Sequence, residues 1–292
     1  MRDFLDYLKQ EKKNAENTVI AYKRDLVAFE VFLSRNRGKS LDACAESDAV
    51  AYVLELNNQN KSKSTINRSI SSLRTFYDFK MKQGTVVSNP FEKIKTSKTE
   101  AREIDFLTVE EIEQLIVLPD DSPKGLRDRA LMEFMYGTGA RVTEVVRLQI
   151  TDINLKMGFV TLRDVTDESR IVPLGQYAKD ALYKYLSEGF SQIKGSMADE
   201  DDYVFINFRG EVLTRQGIWK ILKDYGSQIG ISDRMTTQIF RDSFAVHILQ
   251  NGGDLRTLQE LMGFDDMTVA LSYMSVIDIH VREVFARCHP RA

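Results

Sequence analysis

Apolar positions in the first ninety residues recur at helical spacing. Phe4, Leu5 and Leu8 share one face of a segment over 2–13. Ile20, Leu26, Val27, Phe29, Val31, Phe32 and Leu33 give a broad stripe to a longer helix over 15–35, and Gly38 marks its end. Ser47 reads as the cap of a helix reaching about Leu56. Ser62 or Ser64 starts another, which carries Ile66, Ile70, Leu73, Phe76, Tyr77 and Phe79 before Gly84 stops it. Four amphipathic helices with short connections predict a small bundle over 1–88. Arg68 and Arg74, interleaved among its apolar positions, are expected to point away from the core.

The period is lost after Val87-Ser88-Asn89-Pro90. The stretch from Phe91 to Asp105 is polar and reads as a linker, 89–105. A second unit, 106–292, begins with Thr108 as a helix cap and Glu111 three residues on, the spacing of a capping box. Helices are predicted over 109–117, 125–136 and 141–148. Residues 158–174 then switch to alternation, with Phe159, Val160 and Leu162 followed by Ile171, Val172 and Leu174, as a β-hairpin requires. Asp164 to Glu168 is its turn. Further helices are expected over 176–187, 214–229, 241–250, 254–261, 266–273 and about 278–287. The fold class is mainly α (α+β): a four-helix N-terminal domain and a mixed helical C-terminal domain with a small β-hairpin or sheet.

Composition narrows the function classes. Of 292 residues, 43% are hydrophobic, enough for real cores in about two domains. Cys44 and Cys288 are far apart and form neither a disulfide framework nor a metal-ligand pattern, which favours a reducing, cytoplasmic setting. The apolar runs fall well short of the roughly 18 residues a membrane span needs. The charged, amphipathic N-terminus does not resemble a signal peptide.

A net charge of −3 argues at first against a nucleic-acid binder. The distribution says otherwise. Residues 1–104 carry 19 basic and 14 acidic side chains, while the remainder carries 21 and 29. Between 61 and 98 stand Lys61, Lys63, Arg68, Arg74, Lys80, Lys82, Lys93, Lys95 and Lys98, opposed only by Asp78 and Glu92. A binding footprint depends on such local charge and not on the total. A solvated helix face would look the same.

Four stretches carry candidate chemistry. Gly137-Thr138-Gly139-Ala140-Arg141-Val142-Thr143-Glu144 puts an arginine on the first turn of a helix after a glycine turn, where it can approach an anion. Gln238-Ile239-Phe240-Arg241 opens a helix that carries His247 and closes on Asn251-Gly252-Gly253-Asp254. Leu261-Met262-Gly263-Phe264 precedes Tyr273 by a short helical segment. His289-Pro290-Arg291-Ala292 ends the chain. Together with the Arg170-Ile171-Val172-Pro173-Leu174-Gly175 strand, and in this order, they resemble the tyrosine recombinase (phage integrase) family, and within it the Xer-type chromosome-dimer resolvases. The resemblance covers nearly the whole chain.

That resemblance implies roles. Tyr273 matches the nucleophile that attacks the scissile phosphate, forms a 3′-phosphotyrosyl link and frees a 5′-hydroxyl. Arg141 and Arg241 match the two arginines that clamp the non-bridging oxygens. Glu144 matches an acid that holds the first of them. Planar guanidiniums suit charge spread over equatorial phosphate oxygens. A covalent protein–DNA link conserves the phosphodiester energy, so no cofactor, ATP or metal is implied.

Three expected groups differ. The family's hairpin lysine falls on Val165, its histidine three residues before the second arginine is Gln238, and its histidine or tryptophan after Leu-x-Gly is Phe264. Gln238 can donate a hydrogen bond but moves no proton near neutral pH. The expectation is that cleavage is strongly impaired unless DNA or a partner subunit supplies a group. Arg163, Arg170 and Lys156 are the nearby basic candidates.

The implied partner is double-stranded DNA, gripped by both domains. Lys61, Lys63, Arg68, Arg74, Lys93 and Lys95, with Lys98, are candidate contacts in the first domain and linker. Arg215, Gln216 and Lys220, with Arg209 and Thr214, are candidates in the second, although Thr214 also fits a helix cap. The terminal helix and the His-Pro-Arg-Ala end imply a homo- or hetero-tetramer on DNA. Two other readings stay open: a catalytically impaired paralogue acting as a sequence-specific DNA-binding or regulatory protein, and a helical interaction protein that has left DNA.

Overall fold

The computed structural model describes residues 1–12, 16–97, 104–165, 167–194, 202–274, 276 and 287. The chain divides into two compact units, Met1–Arg102 and Glu103–Ala292. The expected helix at 278–287 lies outside the described residues, apart from Arg287, as do Lys98 and the chain end.

The first unit contains α1 (Arg2–Gln10), α2 (Glu16–Arg37), α3 (Glu46–Asn58) and α4 (Lys63–Lys82), with a single 3₁₀ turn at Leu41–Ala43. Ser62 caps α4 by accepting the Thr65 amide at 3.2 Å. Ser47 lies inside α3; Ala45 takes the cap position, and the Asp48 carboxylate receives its amide at 2.9 Å. Asp48 at the third helical position does the work expected of a capping acid. On α2 the buried stripe is Val19, Leu26, Phe29 and Leu33. Ile20, Val27 and Val31 follow nearly the same spacing, offset around the helix, and stand about 40% exposed. One helix can turn only one such stripe into one core.

Phe91, where the polar stretch begins, is fully buried against Phe29 and Tyr77 in this core. The Arg74 guanidinium, half-buried, donates to the Phe91 carbonyl at 3.3 Å and the Ile94 carbonyl at 2.7 Å. Asn89 donates to the Arg74 carbonyl at 3.0 Å. The chain just after Asn89-Pro90 is therefore seated on the first unit.

The second unit begins with α5 (Val109–Val117), α6 (Pro123–Thr138) and α7 (Val142–Arg147). Thr108 and Glu111 form the expected capping box, at 3.2 and 2.8 Å. The unit continues with β1 (Ile153–Asn154), β2 (Phe159–Arg163) and β3 (Ser169–Pro173), an antiparallel sheet in the order β1-β2-β3. Val160 pairs with Val172 and Arg163 with Ser169, so the alternating stretch is the hairpin. The two-residue β1 was too short to leave a pattern. Next come α8 (Gln176–Lys184), a π turn (Tyr185–Gly189) and α9 (Phe190–Lys194). The unit ends with α10 (Arg215–Gln228), α11 (Ile239–Gln250), α12 (Leu255–Met262) and α13 (Met267–Ser272).

Helix α11 is buried almost end to end, from Ile239 through His247. A helix apolar on most sides belongs at the centre of its domain. Ile239 and Phe240 join the larger core with α6 and the sheet. Phe244, Ala245, Val246 and Leu249 join a smaller one with Leu258, Met262, Ala270 and Tyr273. Arg241 and Asp242 lie where α11 passes from one core to the other.

Candidate active site

Two left-handed glycines build the site. Gly139 ends α6 at φ 59°, and Gly263 ends α12 at φ 60°. A left-handed backbone costs a residue bearing a Cβ roughly 1–2 kcal/mol. Here a Cβ would also collide: at 2.5 Å with the Phe244 ring for Gly139, and at 2.9 Å with the Arg170 side chain for Gly263. The Gly139 carbonyl accepts from Arg241, and the Gly263 carbonyl accepts from Arg141. Each helix end thus presents its last carbonyls to an arginine, and carbonyls left without a partner at a helix C-terminus need such donors.

Arg141 precedes α7. Its Nη1 donates to Glu144 Oε1 at 2.9 Å and its backbone amide to Oε2 at 2.6 Å. Arg170, on β3, grips the same carboxylate, with Nη2 on Oε2 at 2.9 Å and Nη1 on Oε1, while its Nε donates to the Leu261 carbonyl at 2.8 Å. Glu144 is fully enclosed. Burial pushes its carboxyl upward, but the hydrogen bonds and charges of Arg170 and Arg141 outweigh this and hold it below the usual range. The sequence placed Glu144 beside Arg141; Arg170 as its second partner was not legible, because 26 residues separate them.

Arg241 is 2% exposed. Its Nη2 donates to the Met262 carbonyl at 2.6 Å, and its guanidinium lies over the Phe264 ring, 5.2 Å from the centroid. Burial first, then the neighbouring Arg141 and Arg170, pull it down to about 9, which leaves it charged at neutral pH. Phe264 also stacks on Tyr273, with centroids 6.1 Å apart. Phe264 therefore packs against both the arginine and the tyrosine.

Tyr273 follows α13 directly and is 5% exposed. Its hydroxyl donates to Asp242 Oδ1 at 2.7 Å. Gln238, at the N-cap position of α11 one turn earlier, donates to the same oxygen at 3.1 Å. Asp242 did not stand out in the sequence. An acidic residue next to an arginine near a helix start has many readings, and only the fold sets it against Tyr273.

A cleft of about 680 Å³ opens beside Arg141, walled by Arg170, Arg256, Phe264 and four carboxylates, Asp164, Glu168, Glu260 and Asp265. No lysine is among the described residues that line it. Val165 sits exposed in the hairpin turn. Arg163 pairs with Asp152 at 3.1 Å, and Lys156 is exposed in the turn before β2. His247 shares a hydrogen bond of 2.8 Å with Tyr136, and burial lowers its pKa.

The candidate nucleic-acid contacts fall into two groups. On the first unit, Lys61, Lys63 and Lys95 are exposed, and Lys93 is exposed while pairing with Glu46 at 2.9 Å. Arg68 pairs with the buried Asp25 at 2.5 Å. Arg74, half-buried, donates to the Phe91 and Ile94 carbonyls as described. On the second unit, Arg209, Arg215, Gln216 and Lys220 are exposed. Thr214 is the cap of α10, accepting the Gly217 amide at 3.0 Å. Trp219, 42% exposed, lies on the same helix with Lys223 over its ring at 4.9 Å. Both were overlooked in sequence, where a single tryptophan in an amphipathic stretch reads as core. Among the described residues no helix is long and apolar enough to cross a membrane, and no group of His, Cys, Asp or Glu is placed to hold a metal ion.

Comparisons with known proteins agree over the whole length. The phage integrase family matches residues 105–279, and the phage integrase N-terminal SAM-like domain matches residues 1–84. The tyrosine recombinase XerD of Listeria innocua serovar 6a is 38% identical over 99% of this chain and 98% of its own. The XerD of Listeria monocytogenes serotype 4b is 38% identical over 100% and 99%. Among solved structures, the XerH site-specific recombinase bound to a palindromic difH substrate aligns with a TM-score of 0.76 at 18% identity, over 91% of this chain and 78% of that one. The last shows a shared fold.

Proposed function

Starting from the family to which the chain belongs, the phage integrase family of tyrosine recombinases, we propose that it is a site-specific DNA recombinase. It cuts and rejoins DNA through a 3′-phosphotyrosyl link on Tyr273. One observation carries the reading to these residues. Arg141, Arg241 and Tyr273 come from three distant stretches, yet Arg241 and Tyr273 share Phe264, and Arg141 is fastened to Gly263 next to it.

In this reading Arg141 and Arg241 take the non-bridging oxygens of the scissile phosphate. Each has N–H groups beyond those it gives to carbonyls and Glu144, because a guanidinium carries five. Charge held in a buried, preorganised setting stabilises the transition state more than it would in water. Glu144 and Arg170 keep Arg141 aimed. The first unit and linker supply phosphate contacts through Lys61, Lys63, Lys93 and Lys95. The second supplies a groove-facing helix, α10, whose exposed Arg215, Gln216, Trp219 and Lys220, with the half-buried Lys223, combine cationic and aromatic groups. Four subunits on two DNA sites, in the cytoplasm, complete the proposal.

Val165, Gln238 and Phe264 bear on rate. The impaired-paralogue reading is not favoured, since the full-length relatives at this identity are tyrosine recombinases. A nicked suicide substrate tests the choice. A covalent adduct that Tyr273→Phe abolishes supports the recombinase. Retarded DNA without any adduct would favour the regulatory reading.

A further inference from the structure

The chain lacks the histidine expected at position 238, yet the tyrosine hydroxyl is not without a proton acceptor. Asp242 Oδ1 lies 2.7 Å from the Tyr273 hydroxyl, inside the range for a directly shared proton. Asp242 is 4% exposed, and Gln238 Nε2 steadies the same oxygen from one turn away. We propose that Asp242 is the catalytic proton acceptor for Tyr273, with Gln238 as the residue that positions it. This rests on the recombinase reading and deepens it.

The placement is favourable for a mechanical reason. Arg241, in the phosphate clamp, and Asp242 are consecutive on a helix buried through this region. Clamp and acceptor therefore move as one rigid piece. Phe264 packs against both Arg241 and Tyr273, which keeps the hydroxyl that reaches Asp242 beside the clamp. Among the described residues, Arg241 adjoins Asp242 on α11, and Arg141 and Glu144 at α7, Arg170 on β3 and Tyr273 act in turn on Arg241.

The step balances. As the bond from the Tyr273 oxygen to phosphorus forms, its proton passes to Asp242. The bond from phosphorus to the 5′-oxygen breaks, and the electron pair stays on that oxygen, which takes a proton from water. The hydroxide left behind is neutralised by the proton that Asp242 releases to solvent. Nothing is oxidised or reduced.

The test is the rate of adduct formation on a nicked suicide duplex, followed against pH. Wild type should show an acid limb that reports Asp242 and a plateau above it. Asp242→Asn keeps the size of the side chain and an accepting oxygen but takes no proton. Its rate should fall about 10²–10⁴-fold at neutral pH, a typical worth of a general base, and climb with pH where wild type is flat. DNA retardation and melting temperature check that the variant is folded. Gln238→Leu removes a donor to the carboxylate and should move the acid limb to higher pH. A structural role for Asp242 would move neither profile, and unchanged profiles overturn the proposal. An Asp242→Asn protein that cleaves faster than wild type also overturns it, because Asp242 would then restrain the tyrosine. Wild type that binds the duplex and forms no adduct at any pH defeats the recombinase reading itself, and this proposal with it.

Discussion

Glu144→Gln is the most informative single substitution in the second unit. The carboxylate accepts four hydrogen bonds, two from Arg141 and two from Arg170, with no exposure of its own side chain. The amide that replaces it is neutral and has one accepting oxygen. Breaking a buried ion pair from one side costs about 3–5 kcal/mol, because the remaining charge is stranded. Arg170 is 14% exposed and bears this in full; Arg141, at 35%, is screened by water and bears less. A loss of about 3 kcal/mol is expected, and for a unit of this size each kcal/mol lowers the melting temperature by roughly 2–4 °C, so a fall of about 6–12 °C follows. The effect must also depend on pH. Glu144 has a folded pKa below its ordinary value of 4.5, so the ionised carboxylate stabilises the fold above that value, and the contribution disappears as pH falls through the folded one. Melting curves of the two proteins should be well separated at pH 7 and converge below about pH 4.5. A fall of less than about 2 °C at pH 7, or a gap that persists unchanged to pH 3, would refute the reasoning.

Three further outcomes are expected. Gly139→Ala should lose roughly 2–4 kcal/mol in denaturant unfolding, from left-handed strain plus the clash with Phe244; a change under 1 kcal/mol would mean that the α6 end relaxes freely. DNA affinity should fall steeply with salt, with a slope of about −0.9 per phosphate contacted, and replacing Arg215 and Lys220 by Ala should flatten the slope by about two contacts; an unchanged slope would remove α10 from the interface. Thr214→Ala should cost about 1 kcal/mol of stability through the lost α10 cap, and Thr214→Ser should restore it; DNA affinity lost in both variants alike, with stability intact, would favour a direct contact instead.

Some of this protein was written in local pattern. The four-helix bundle, the capping box at Thr108, and the hairpin over 158–174 follow from periods of 3.6 and 2 and from capping chemistry, which act within a few residues. The order of the motifs around Arg141, Arg241 and Tyr273 carried the resemblance. Charge counted by segment corrected the misleading total of −3.

Tertiary structure decided the rest, because partners distant in sequence leave no local trace. Which stripe of α2 is buried depends on what packs against it, so Val27 and Val31 stay out while Leu26 and Phe29 go in. Arg74 stood out in sequence only as a candidate phosphate contact, and the fold alone brought the Phe91 and Ile94 carbonyls within its reach. Glu144 gained Arg170 across the sheet, and Asp242 gained Tyr273 across two helices. A sequence shows which side chains can give or take a proton. Only the fold brings a particular donor to a particular acceptor, since hydrogen bonds act over about 3 Å and the chain must close on itself to span that gap.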